Sequence, residues 1–259
     1  MLKTERQAQI LRLIRQHGFI HTDEIAATLR VSTVTIRRDI KELDQQSLIK
    51  VEHGGATSVG YLEAVPEPIF ETKMQMNALQ KQAIGLKVVA FIEDGDTIII
   101  DAGTTCLQIA RNLKAAKFNQ LTVITNDIVS ARELSPIANI TIILLGGILC
   151  FQYYNSYGPF AESTLSNLRA NKFFFAFDGF TPDRGFSSTF LGEVPLKQKM
   201  LDISSRIIAV SDSSKIGVDA LYTICEPQRV HALITDSGVG VKNADTIASM
   251  GIDTTIVNL

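Results

Sequence analysis

The sequence predicts a small helical domain followed by a larger α/β domain built on a mostly parallel sheet. Two patterns and a break between them predict it. Before residue 58, three short amphipathic helical segments run into two short extended ones. From about residue 77 onward, apolar extended runs alternate with helical stretches, the pattern of a parallel sheet covered on both faces. Between them "SVGYLEAVPEPIFETKM" carries Pro66 and Pro68 and no apolar period, as a linker does. The expected divisions are residues 1–57, a linker over 58–76, and 77–259.

The first helix is expected over residues 5–16, with Ile10, Leu13 and Ile14 at helical spacing and Gly18 able to end it in a left-handed turn. Thr22 stands where a hydroxyl can cap a second helix, with Asp23 and Glu24 in its positive first turn and Ile25 and Leu29 inward. Ser32 can cap a third, whose Ile36, Ile40 and Leu43 share one side. At roughly 100° per residue, Val34, Arg38, Lys41 and Gln45 then point the opposite way, with Arg37 on the flank. "SLIKVEHGGATS" supplies two short strands around Gly54 and Gly55. Three helices and a ribbon describe a winged helix-turn-helix, and arginines on the outer face of its third helix suit guanine edges or phosphates, a valine surface a thymine methyl.

In the larger domain the extended runs are "DTIIID", "LTVIT", "ITIILLGG", "KFFFAFDGF", "RIIAVSD", "HALITD" and "TTIVNL", with helical stretches such as 104–114 and 192–204 between them. Open parallel sheets take ligands beyond the carboxyl ends of their strands, so the residues just after each run matter most. There stand Asp101, Gly103, Thr104 and Thr105, leading into a helix whose free N–H groups favour an anion. Asp101 would repel that anion but accept hydrogen bonds from hydroxyls, so a phosphorylated polyol satisfies both halves of "DAGTT". Other strand ends supply Asn126, then Gly146 and Gly147, then Asp178 and Gly179, then "SDSSK" with Lys215. Glu193, which opens the helix carrying Lys197, either faces the same pocket or favours that helix's dipole.

Several classes find no support. No apolar run approaches a membrane span and no signal-peptide core opens the chain, so a cytoplasmic location and no membrane partner are expected. Cys106, Cys150 and Cys225 are scattered, and His17, His21, His53 and His231 form no metal spacing, so neither a metal nor a cofactor is expected. There is no GxGxxG after a strand and no GxxxxGK[ST]. Net charge is −2, yet residues 1–60 hold nine Lys/Arg against seven Asp/Glu, a slightly basic first quarter on an acidic body.

Residues 5–56, with "TIRRD" in the third helix and "HGGA" closing the wing, resemble the amino-terminal domain of DeoR-type bacterial transcriptional repressors. The likeness continues through Lys81, "DGDTIIIDAGTT", "VITND", "LLGG", Gly158, "DGF", Glu193 and "DSSK". It implies a repressor of a carbohydrate operon, binding operator DNA as a homo-oligomer, dimer or tetramer. Its larger domain would be similar in fold to ribose-phosphate isomerases and CoA transferases and would sense a sugar phosphate. DNA-side candidates are Ser32, Thr33, Val34, Thr35, Arg37, Arg38, Lys41 and His53; effector-side candidates are the eleven strand-end residues Asp101, Gly103, Thr104, Thr105, Asn126, Gly146, Gly147, Asp178, Gly179, Glu193 and Lys215. Three departures stand out: Cys150 where the family usually has a basic residue, Ser47 where it has Gly, and Val51–Glu52 in place of a more basic pair. The competing class is an isomerase, with Asp101, Asp178 and Glu193 near Lys215 abstracting a proton beside a carbonyl and stabilising the enediolate. No residue pair demands that, and no catalytic residue is assigned.

Overall fold

The computed structural model describes residues 3–17, 19–45, 49–52, 54–58 and 70–259, and the chain divides into two compact units, Met1–Ile69 and Phe70–Leu259. The first unit runs α1 (Lys3–His17), β1 (Phe19–His21), α2 (Thr22–Leu29), α3 (Thr33–Gln45), β2 (Ile49–Glu52) and β3 (Gly55–Ser58). Its three strands pair antiparallel in the order β1-β3-β2. Ile10 and Ile14 of α1, Ile25 of α2, and Ile36, Ile40 and Leu43 of α3 close one core over Ile20, Ile49 and Ala56 of the sheet. Gly55 is required by packing, since a Cβ there would lie 2.3 Å from the Ile20 carbonyl oxygen.

One capping expectation changes. His21 holds the N-cap position of α2 without a side-chain bond, and Thr22 is a buried first helical residue. Its N–H donates to the Gly54 carbonyl at 2.9 Å, so the wing's turn satisfies the helix end. Gly18, Ser47 and His53 lie outside the described residues.

The second unit begins with α4 (Phe70–Gln75) and α5 (Ala78–Val89), so the last part of the stretch expected to be linker is helical. There follow β4 (Thr97–Ile100), α6 (Thr104–Leu113), β5 (Leu121–Thr125), α7 (Ile128–Leu134), β6 (Ile140–Leu144), β7 (Ile148–Cys150), β8 (Asn155–Tyr157), α8 (Pro159–Leu165), β9 (Ala170–Phe175), β10 (Gly179–Thr181) and β11 (Gly185–Ser188). The chain ends with α9 (Val194–Asp202), β12 (Ser204–Val210), β13 (Tyr222–Cys225), β14 (Ala232–Asp236), α10 (Val241–Ser249) and β15 (Asp253–Val257).

Seven strands form one parallel sheet, ordered β15-β14-β12-β9-β4-β5-β6. Strand alternation feeds two cores from the same residues: Phe173 and Phe175 enter one, Phe174 the other, just as Ile99 opposes Ile98 and Ile100. From β4 the chain winds outward through β5 and β6, then returns to β4's other side for β9. The order therefore reverses between β4 and β9, where connections diverge and leave a crevice above the carboxyl ends. The run "KFFFAFDGF" splits there into β9 and β10, which puts Asp178 in the crevice loop. β10, β11 and β13 form a small antiparallel sheet and β7–β8 a hairpin.

Candidate nucleic-acid interface and candidate effector site

The third helix opens on Ser32, whose Oγ accepts the Thr35 N–H at 3.3 Å and shares a 2.8 Å hydrogen bond with the Thr35 hydroxyl. Thr33 and Thr35 are half-buried at this end. With Ile36, Ile40 and Leu43 turned inward, Ser32, Val34, Arg37, Arg38 and Lys41 are left exposed, Val34 at 74 % and the Arg38 side chain at 83 %. Arg38 is held only loosely, 3.7 Å from Glu42. The acidic member of "TIRRD" does the opposite. Asp39 is buried and accepts from Arg6 Nε at 2.5 Å and Nη2 at 3.2 Å, which ties α3 to α1. Glu42 adds Lys3 at 2.6 Å and the Gln7 amide at 2.9 Å. Sequence spacing found the outer face but missed this clamp, because Arg6 and Asp39 are 33 residues apart.

At the sheet's crevice, Asp101 follows β4 and is fully buried. Its carboxylate accepts from the N–H groups of Ala102 at 2.9 Å and Ala176 at 3.1 Å and from the Lys197 ammonium, which also donates to the Ala176 carbonyl at 3.1 Å. Both Asp101 oxygens thus accept hydrogen bonds from within the protein. Burial pushes its pKa up and Lys197 pulls it back; burial works against the Lys197 charge, but Asp101 and Glu193 outweigh it and hold that pKa above the ordinary lysine value.

The network extends outward from Lys197. Glu193 Oε1 lies 3.6 Å from Lys197 Nζ and accepts the Ser188 hydroxyl at 2.7 Å. Burial raises the Glu193 pKa to about 7 against the pull of Lys197. Asp178 Oδ2 accepts the Thr189 N–H and hydroxyl, both at 3.0 Å, and its Oδ1 accepts from Lys73 Nζ at 3.2 Å. The Ser188 hydroxyl also lies 3.4 Å from Asp178 Oδ2, so Asp101, Asp178 and Glu193 are joined in one array through Lys197 and Ser188. Lys197, Ser188, Thr189 and Lys73 were missed, since which way α4, α9 and the β11 end face depends on topology.

The remaining candidates lie at neighbouring strand ends. Gly103 is the N-cap of α6, and Thr104 and Thr105 are its buried first residues. Asn126 donates to the Ser156 carbonyl at 3.0 Å, while its Oδ1 is buried without a hydrogen-bond partner. Next to it Asp127 caps α7 by accepting from the Val129 N–H, and burial raises its pKa to about 6. Gly146 and Gly147 lead into β7. Gly179 is explained by packing, because a Cβ would lie 2.6 Å from the Val218 carbonyl oxygen. Lys215 ends a single 3-10 turn, Ser213–Lys215, whose Asp212 N-cap accepts from the Ser214 N–H at 3.2 Å. A separate cleft of about 460 Å3 lies lower on α6, lined by Met74, Ala78, Gln82, Gln108, Arg111 and Asn112. Among the described residues no His, Cys, Asp and Glu group has metal-binding geometry, and no helix is long and apolar enough to cross a membrane.

The chain matches the DeoR-like helix-turn-helix domain over residues 6–60 and the DeoR C terminal sensor domain over residues 76–237. It is 31 % identical to a putative aga operon transcriptional repressor of Escherichia coli O157:H7, over 98 % of this chain and 94 % of that one. It is 34 % identical to the uncharacterized HTH-type transcriptional regulator YulB of Bacillus subtilis, over 100 % and 98 %, and 33 % identical to the HTH-type transcriptional repressor GlcR of the same organism, over 91 % and 89 %. Ribose 5-phosphate isomerase from Plasmodium falciparum aligns with a TM-score of 0.41 at 16 % identity, over 56 % of this chain and 55 % of that one; at that score the likeness decides nothing about function. All three relatives are named as transcriptional regulators or repressors rather than as enzymes. With both domains matched in order and relatives similar over nearly its whole length, the chain belongs to the DeoR family of transcriptional regulators.

Proposed function

We propose that this protein represses a carbohydrate-metabolism operon and that a phosphorylated sugar bound at the sheet's carboxyl ends controls it. The observation that carries the DNA half is the outer face of α3, where Val34, Arg37, Arg38 and Lys41 are exposed while the core side chains and Asp39 hold the helix from behind. Ser32, Thr33 and Thr35 at the helix start are suited to phosphate contacts, and the bases beyond them to base edges. His53, in the wing, belongs to the same proposal on sequence grounds.

The effector half rests on the array at the β4–β9 switch point. Asp178 and Glu193 suit hydroxyl groups, while the start of α6 at Gly103, Thr104 and Thr105 suits an anion, as does the cation Lys215 at the end of another strand, β12. Asn126 brings a buried acceptor that lacks a partner, for which a ligand hydroxyl is one solution. Gly146, Gly147 and Gly179 shape the loops around it. Ligand binding would favour one arrangement of the recognition helices over another, so that they fit or miss successive major grooves.

Self-association fits the same reading. The edge strand β6, Ile140–Leu144, carries no charge to keep other strands away, and Leu144 at its end and Ile148, Leu149 and Phe160 in the segments that follow it are exposed. A second copy of this chain is the occupant proposed for that edge, and Leu149→Lys with Phe160→Glu should lower the mass read by light scattering. For the whole function, the test is a melting-temperature screen with sugar phosphates beside their parent sugars, since a ligand of the folded state raises the melting point. A rise confined to a phosphorylated member supports the reading; a rise with parent sugars alone contradicts it.

A further inference from the structure

The first helix of the second unit is tied to the β7–β8 hairpin and, through Lys73, to Asp178 of the array. The Phe70 N–H donates to the Gln152 carbonyl at 3.3 Å, its ring meets Tyr154 edge-on at 5.3 Å, and the Tyr154 hydroxyl donates to Glu71 at 2.7 Å. Lys73 Nζ reaches Asp178 Oδ1 at 3.2 Å and lies 5.2 Å from the centre of the Tyr153 ring. Lys81 donates to the carbonyls of Lys73 and Met76, and the Asn77 amide donates to Asp212 Oδ1 at 2.8 Å. So α4 rests on the β7–β8 hairpin at one end and on the strand-end layer at the other.

The cations here differ in what they can give up. Lys197 is buried and committed to Asp101, Ala176 and Glu193; Lys81 is buried and committed to main-chain carbonyls. Lys73 keeps 20 % of its side chain exposed and faces a carboxylate whose other oxygen is already held by Thr189. A phosphate brings nearly twice the charge of that carboxylate and three strong acceptor oxygens.

We propose that Lys73 binds the phosphate of the effector, and that in doing so it leaves Asp178 and re-seats α4, the helix that directly follows the segment joined to the DNA-binding unit. Asp178 Oδ1 then accepts a sugar hydroxyl, so the ion pair is exchanged for a phosphate–ammonium pair and a hydroxyl–carboxylate bond, with the remaining negative charge of the phosphate left to water at the exposed side of Lys73. An unphosphorylated sugar offers no anion and leaves Lys73 where it is. The inference rests on the sugar-phosphate reading above and deepens it by naming the residue that tells phosphate from hydroxyl and passes the difference to the DNA side.

The experiment compares full-length wild type, Lys73→Met, Lys73→Arg and Tyr154→Phe. Probes are inorganic phosphate, ribose 5-phosphate, glucose 6-phosphate, fructose 1-phosphate and fructose 6-phosphate, each sugar phosphate beside its parent sugar. Affinity is read by titration calorimetry, and hydrogen exchange is followed over residues 70–76. Expected is a preference for one phosphorylated sugar over its parent that falls about tenfold or more in Lys73→Met and is largely kept in Lys73→Arg. Ligand should change exchange over α4 in wild type but not in Lys73→Met. Tyr154→Phe, which loosens the same helix without removing the cation, should keep the preference; equal loss there would reduce Lys73 to a structural role and overturn the inference. An unchanged preference in Lys73→Met overturns it while the sugar-phosphate reading stands. Absence of any phosphate-dependent binding by wild type overturns both.

Discussion

The outer face of α3 and the array at the β4–β9 crevice are both rich in charge, yet they hold it in opposite ways. On α3 the bases are exposed and Arg38 is only loosely paired, at 3.7 Å from Glu42. In the crevice Asp101 and Lys197 are buried together and Glu193 and Asp178 are each hydrogen-bonded by side chains around them. Charge kept in water costs little and is available to a polyanion, whereas buried charge must be matched before a ligand arrives. Under the proposed function the first region meets a large partner and the second exchanges contacts with a small one.

The largest expected effect breaks the second region. Asp101→Asn leaves the Lys197 ammonium buried with a weakened partner, and urea unfolding should show a loss of about 3–5 kcal/mol. The same truncation on α3 should leave the fold alone: Arg38→Ala is expected to stay within about half a kcal/mol of wild-type stability while losing about 1–3 kcal/mol of affinity for a duplex selected from a random pool. Unchanged affinity would remove Arg38 from the interface.

The sign of the pH response sharpens the contrast. The folded Glu193 pKa of about 7 lies above its ordinary value near 4.5, so between those values the folded chain binds more protons and this group's contribution to stability falls as pH rises. Glu193→Gln should flatten the melting temperature against pH across that window, relative to wild type. A parallel profile in the two proteins would mean that Glu193 is ionised throughout. The smallest effect belongs to the start of α3: Ser32→Ala removes the cap to Thr35 and should cost about 1 kcal/mol, read by thermal unfolding.

How much the sequence disclosed follows from the range of the interactions. Ile36, Ile40, Leu43 and the opposing Arg38 and Lys41 lie within one helix, where spacing alone fixes the face. The parallel sheet and its polar strand ends were legible for the same reason, since each run carries its own period and its own terminus. Asp39's partner is not local, and neither are those of Asp101 and Asp178, which pair with Lys197 and Lys73 across 96 and 105 residues. At Asp101 the sequence shows the turn but not the two N–H groups and the ammonium from which the carboxylate accepts. The sequence shows Gly179 at a strand end but not the close approach of the Val218 carbonyl to it. Thr22 looked like a cap and is a core residue whose N–H is answered by the wing.

The most direct test joins the two regions in one titration. A labelled duplex selected by the wild-type protein is held near half saturation, and fluorescence anisotropy is followed as each sugar phosphate, then its parent sugar, is added. The expected result is a change in DNA affinity with one phosphorylated sugar and none with its parent, in either direction, with less duplex bound at the same protein concentration when Arg38 is replaced. DNA affinity that stays constant across every sugar phosphate, while the duplex remains tightly bound, would contradict control of the DNA-binding face by a phosphorylated sugar.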